Sequence, residues 1–113
     1  MIIAKKILAM SIAIMLALSF WITPSVLAED IVGEKLFQAN CAGCHDRGGN
    51  IVRRGKNLKL KTLQKNRLDS LESIAQLVTN GKNNMPAYRD RLNDKEIQAV
   101  SIYVLQQAEQ NWH

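Results

Sequence analysis

Only two cysteines, two histidines and two prolines occur in this chain of 113 residues, and that scarcity excludes several chemistries. A zinc centre built on the Cys41/Cys44 pair needs two further ligands, yet the only histidine besides His45 is His113 at the chain end. A thioredoxin-like redox couple asks for alternating strands and helices, and no strand pattern occurs in this sequence. Six aromatic residues, Phe20, Trp21, Phe37, Tyr88, Tyr103 and Trp112, are too few and too scattered to form a stacking platform for nucleic acid. Internal repeats, low-complexity tracts and a second domain boundary are absent from the sequence. No acid–base pair or activated nucleophile stands out, so an enzyme is not expected.

What is present is concentrated in Cys41-Ala42-Gly43-Cys44-His45. Two thiols separated by two residues lie about one helical turn apart and match the two vinyl groups of a haem. The histidine that follows can place an imidazole nitrogen against the iron. A simple disulfide is the remaining alternative for the pair.

Residues 1–28 have the pattern of an export signal. Lys5 and Lys6 precede an apolar run over 7–22; Thr23-Pro24-Ser25 interrupts it, and Val26-Leu27-Ala28 offers small residues for cleavage. That run is shorter than the ~20 residues of a spanning helix, so removal after Ala28 is expected in place of a membrane anchor. Taking 28 from 113 leaves an 85-residue domain, 29–113. Export and haem attachment support each other, because covalent attachment needs reduced thiols presented outside the cytoplasm. Loss of Lys5 and Lys6 takes the formal charge from +5 to +3, and Met85 becomes the only methionine.

Helical periods run through the domain, which predicts an all-α fold. A first helix is expected from a cap at Asp30 to about Asn40, with Val32, Leu36 and Phe37 on one face. Gly33 inside it signals either a close helix approach or a tolerated weak point. Residues 46–68 read as irregular, with a turn at Gly48-Gly49-Asn50 and Leu58, Leu60 and Leu63 dipping inward. A middle helix is expected with Asp69 and Glu72 as a capping box, a stripe of Leu71, Ile74, Ala75 and Val78, and a stop at Gly81. Asn93 and Glu96 form a second capping box. Leu92 can staple to Ile97, and Ile97, Val100, Val104 and Ala108 continue one face of the last helix.

Met85 lies in the polar loop Asn83-Asn84-Met85-Pro86-Ala87-Tyr88, outside any helical stripe. Pro86 stiffens that loop, which makes Met85 the candidate sixth ligand of a haem iron beside His45, with simple packing in the haem pocket as the alternative. Between 47 and 68 there are eight basic residues and no acid: Arg47, Arg53, Arg54, Lys56, Lys59, Lys61, Lys65 and Arg67. They form either a solvated face or a positive field that steers the protein to an acidic partner.

With these segments placed, the chain resembles class I cytochromes c, and most closely the cytochrome c6 family of cyanobacteria and algal plastids. The resemblance is carried by Gly33 and Phe37, CAGCH, Gly48-Gly49-Asn50, Asn80-Gly81-Lys82, Met85-Pro86-Ala87, Arg91-Leu92 and the ending YVLQQAEQNW. It implies a cytochrome c fold of three to four short helices around one covalently attached haem c, Cys41 and Cys44 being the thioether anchors and His45 and Met85 the axial ligands. Gly33 and Phe37 would then meet Tyr103 where the terminal helices cross. It also implies a soluble, monomeric electron carrier in the thylakoid lumen (or the periplasm), reduced by cytochrome f of the b6f complex. Its acceptor would be photosystem I or a terminal oxidase, and Arg91 matches an arginine associated with docking to the photosystem. One departure is Leu77, which stands where photosystem donors of the family carry glutamine; the similar c6B and c6C variants have aliphatic residues there and run at lower potential. A haem-based sensor or weak peroxidase is a reading of another class, and requires Met85 to dissociate.

Overall fold

The computed structural model describes residues 1–19 and 25–113, with side chains described for 1–15 and 27–113. Every regular element among them is helical: α1 (Ile2–Ser19), α2 (Ser25–Asn40), α3 (Ala42–His45), α4 (Leu60–Lys65), α5 (Leu71–Asn80) and α6 (Asp94–Glu109), with 3₁₀ turns at Asp46–Gly48 and Arg54–Lys56. α1 carries most of the apolar run of the expected export signal, and its break at Thr23-Pro24 lies outside the described residues. No helix among the described residues is long and apolar enough to cross a membrane.

α2 starts five residues before the expected cap. Ser25-Val26-Leu27-Ala28-Glu29 contains no glycine or proline to stop a helix, so Asp30 sits inside it and caps nothing. The buried line of α2 also differs from the expected one. It runs through Gly33 and Phe37, whereas Val32 is 45% exposed and Leu36 half-buried. The reason is the approach of α6. A Cβ built on Gly33 would lie 2.5 Å from the Ala99 carbonyl oxygen and 2.9 Å from Tyr103 Cβ, so glycine here is what allows the two helices to touch. One turn on, Phe37 meets Tyr103 and Trp112 with ring centroids 5.4 and 5.1 Å away, inside the range where aromatic pairs attract.

α5 begins one residue later than the sequence suggests. Ser70, with extended backbone, accepts from the Ser73 amide at 3.2 Å, and the Ser73 hydroxyl accepts from the Ser70 amide at 3.3 Å. This reciprocal pair replaces the expected Asp69–Glu72 box. Ile74, Ala75 and Val78 are buried as the stripe requires, while Leu71 is only half-buried. Gly81 ends the helix with φ +67, and its amide donates to the Leu77 carbonyl.

α6 follows its signals closely. Asn93 and Glu96 exchange side-chain-to-amide bonds of 2.9 and 3.1 Å. Leu92 and Ile97 are both buried, and Val100, Val104 and Ala108 continue the core. Leu63 of α4 is buried, with Leu58 and Leu60 packed against the same core from its edge. The last residues fold back: Trp112 donates from Nε1 to the Leu58 carbonyl at 3.1 Å and covers Gly48, whose φ is +75.

Candidate haem site

α2, α5 and α6 and the segments between them surround a cavity of about 530 Å³. That volume falls in the usual range for small-molecule and cofactor pockets. Cys41, Cys44, His45 and Met85, the four residues singled out in the sequence, all line it. Phe37, Leu63, Ile74, Val78, Val100 and Val104 give the cavity an apolar wall; Arg53, Lys56, Asn57, Asn66 and Lys82 also line it.

The thiols are placed by the end of α2. The Cys41 amide donates to the Phe37 carbonyl at 2.8 Å, continuing the helix, and the chain then tightens so that Cys44 and His45 both donate to the Cys41 carbonyl. Cys41 is half-buried and Cys44 exposed, and the two are not joined. Burial pushes the Cys41 thiol up to about 11, with the neighbouring Cys44 adding to the shift.

His45 is oriented from behind. Its Nδ1 lies 2.8 Å from the Gly49 carbonyl, a bond that fixes Nδ1 as the protonated nitrogen and leaves Nε2 as a free lone pair. The Gly49 carbonyl is itself held in a pinned loop. Asn50 Oδ1 accepts from the amides of Val52 and Arg53 at 3.0 and 2.7 Å, its Nδ2 donates to the Lys56 carbonyl, and the Ile51 amide donates to the Cys44 carbonyl. That loop therefore holds Ile51 and Val52, 73% and 53% exposed, at the surface beside the site.

Met85 is half-buried in a two-residue hairpin turn. Lys82 and Met85 exchange both backbone bonds at 3.0 Å, and Asn83 takes the positive φ of +53 that such a turn needs. Gly81 lies directly beneath; a Cβ there would come within 2.7 Å of the backbone of Met85, Pro86 and Ala87. Tyr88, 7% exposed, closes the loop against the body of the protein, its amide donating to the Val78 carbonyl at 2.9 Å and its hydroxyl to the Asn40 carbonyl at 2.8 Å. Burial raises the Tyr88 hydroxyl above the ordinary tyrosine range; Arg91, whose guanidinium sits 5.2 Å from the ring centroid, opposes the shift.

The residues fit a haem. Two free thiols one turn apart, an imidazole with Nε2 unengaged and a neutral thioether share one largely apolar pocket whose lining includes Arg53, Lys56 and Lys82. The four side chains singled out in the sequence meet in one cavity, whereas Asn50 and Tyr88, which position the backbone on either side of it, had no such role in the sequence analysis. For Asn50 the local Gly-Gly-Asn turn was the available signal. For Tyr88 it was a polar-tipped aromatic three residues after the loop methionine.

The family described as cytochrome C oxidase, cbb3-type, subunit III matches residues 28–104. A cytochrome c6-like protein of Nostoc sp. is 53% identical over 109 residues, covering 96% of this chain and 98% of its own. The crystal structure of cytochrome c6C from Synechococcus sp. PCC 7002 superposes with a TM-score of 0.69 at 61% identity, covering 70% of this chain and 96% of that one. Cytochrome c6B from Synechococcus sp. WH8102 gives 0.70 at 48% identity, covering 73% and 93%. Fold and site together define a class I c-type cytochrome. Within that class the chain belongs to the cytochrome c6 family: it is an electron carrier with one covalent haem c, and not an enzyme.

Proposed function

We propose that Cys41 and Cys44 form the two thioether bonds, that His45 Nε2 and Met85 Sδ are the axial ligands, and that the protein shuttles electrons from cytochrome f of the b6f complex to photosystem I in the thylakoid lumen. The observation that carries the site assignment is the single cavity lined by all four side chains. When bound, haem supplies an iron that gains and loses one electron. The chain's own residues keep the surrounding atoms still during that change. The Gly49 carbonyl fixes the imidazole, the paired Lys82–Met85 backbone bonds fix the turn that carries the thioether, and the apolar wall excludes water. A soft neutral thioether favours Fe(II) and raises the potential relative to two imidazoles.

In the mature holoprotein, Met85→Ala is expected to abolish the sulfur-to-iron charge-transfer band, lower the midpoint potential and let carbon monoxide bind the reduced iron. A variant that keeps the band and the potential removes Met85 from the ligand set. Native reduced protein that binds carbon monoxide readily would instead favour the sensor or weak-peroxidase reading.

Export underlies the location, with cleavage after Ala28; intact mass of the purified holoprotein reads the cleavage point. Docking is assigned to the side where Ile51 and Val52 stand out among Arg53, Arg54 and Lys56, all exposed. Such a field accelerates encounter with an acidic partner and weakens with salt. Electron exchange with cytochrome f that does not slow as ionic strength rises would refute the steering.

A second reading has its own observation. Leu77 lines the cavity where photosystem donors of the family carry glutamine, and the likeness to c6C and c6B points the same way. Under it the protein is a lower-potential carrier serving a terminal oxidase or another acceptor. The midpoint potential decides: a value too low for photosystem I donation retires the first reading and leaves the carrier intact.

A further inference from the structure

The end of α2 leaves a backbone carbonyl without its helical partner. The Cys44 amide, which would close the next turn onto Asn40, turns instead to the Cys41 carbonyl at 3.1 Å. Helix-terminal carbonyls of this kind need another donor, and the donor here is the Tyr88 hydroxyl at 2.8 Å, a bond spanning 48 residues. One end of it lies immediately before the haem-binding motif and the other three residues after Met85.

We propose that Tyr88 is the positioning residue for the Met85 ligand, its hydroxyl bolting the loop that carries the sulfur to the segment that carries the thiols and the imidazole. The proposal rests on Met85 being an axial ligand. The ring is held in place for this task. Its backbone amide is bonded to Val78, its carbonyl accepts the Arg91 and Leu92 amides at 2.9 Å each, and Arg91 packs over its face. Loss of the hydroxyl strands a part-buried carbonyl only while the loop is closed; once the loop lifts, water reaches that carbonyl. The penalty therefore falls on the closed, sulfur-ligated state alone, and shifts the closed-to-open ratio by about tenfold.

The test uses oxidised mature holoprotein titrated with imidazole, followed through the sulfur-to-iron charge-transfer band. Tyr88→Phe, which keeps the ring and its packing, should bind imidazole about tenfold more tightly than the wild type, losing the band in step. Ile97→Val, a buried substitution in α6 away from the cavity, should lower Tm and leave imidazole affinity unchanged. Unchanged imidazole affinity in Tyr88→Phe, or equal tightening in Ile97→Val, overturns the proposal. Met85→Ala separates the two levels. If that variant retains the band, the ligand assignment fails and takes Tyr88 with it; if the band is lost but Tyr88→Phe behaves as wild type, Tyr88 alone is refuted.

Discussion

Withholding haem from the mature chain should unfold it, and the cavity sets the scale of the effect. Dry cavities in protein cores cost about 24 cal/mol per Å³. Applied to the 530 Å³ pocket, that comes to about 13 kcal/mol. A domain of 85 residues (113 less the 28 of the proposed export signal) has a total stability of about 4–13 kcal/mol. That figure is an upper bound, reached only if the pocket were wholly dry, yet it matches the stability of the whole domain and leaves the haem-free chain little to hold the pocket open. Water entering past Arg53, Lys56 and Lys82 relieves part of the void, but wetting Leu63, Ile74, Val100 and Val104 forfeits the burial that holds α4, α5 and α6 together.

The assay is far-ultraviolet circular dichroism of residues 29–113 made in a cytoplasm that attaches no haem, beside the holoprotein. The holoprotein should melt cooperatively, whereas the haem-free chain should show weak helicity and a sloping, non-cooperative profile. Its tyrosine and tryptophan signals should lack native near-ultraviolet structure, since Phe37, Tyr103 and Trp112 pack together only when α2 meets α6. A sharp transition with native helical signal in the haem-free chain would refute the reasoning.

Gly33→Ala gains about 1 kcal/mol of helix propensity but drives a methyl into the Ala99 backbone, an obstacle that cannot rotate away; a net loss of about 2 kcal/mol is expected from the guanidinium midpoint of the holoprotein. Leu77→Gln places a side-chain amide in the cavity wall and is expected to raise the midpoint potential, as the family resemblance implies; an unchanged voltammogram counts against Leu77 as the tuning position. Burial, then the nearby Glu34, raises the Tyr103 hydroxyl above the ordinary range. The unfolded chain, with ordinary tyrosines near 10, loses that proton first, so stability is whole below about pH 10 and falls as pH rises beyond it. Tyr103→Phe should flatten the fall above about pH 10 in urea titrations.

Most of what could be read from the sequence is local. A CxxCH segment carries its own spacing, and Asn93 with Glu96 closes a capping box within four residues, which the structure shows as expected. Local reading also set its own limits. Asp69 and its neighbour Ser70 both belong to the residue types that cap helices well, so propensity alone did not separate them, and in the structure the cap is Ser70. Val32 matched the apolar spacing, yet the contact of Gly33 with Ala99 rotated the buried face of α2 toward Gly33 and Phe37. Hydrophobic periodicity cannot detect a face built on a missing side chain.

Two of the bonds that shape the site lie outside any local window, and they share a type. Asn40 with Tyr88 and Leu58 with Trp112 each pair a backbone carbonyl with the polar tip of an aromatic side chain. The choice follows from how little this domain can bury. An aromatic ring supplies apolar surface to a small core, while its hydroxyl or indole N–H satisfies a carbonyl that the irregular chain around the pocket leaves open. Tyr88 does so behind the methionine and Trp112 does so behind the loop that holds Gly48. In each case one side chain fills space and fixes backbone together, which lets a short chain hold its pocket rigid enough for an electron to pass without rearrangement of its ligands.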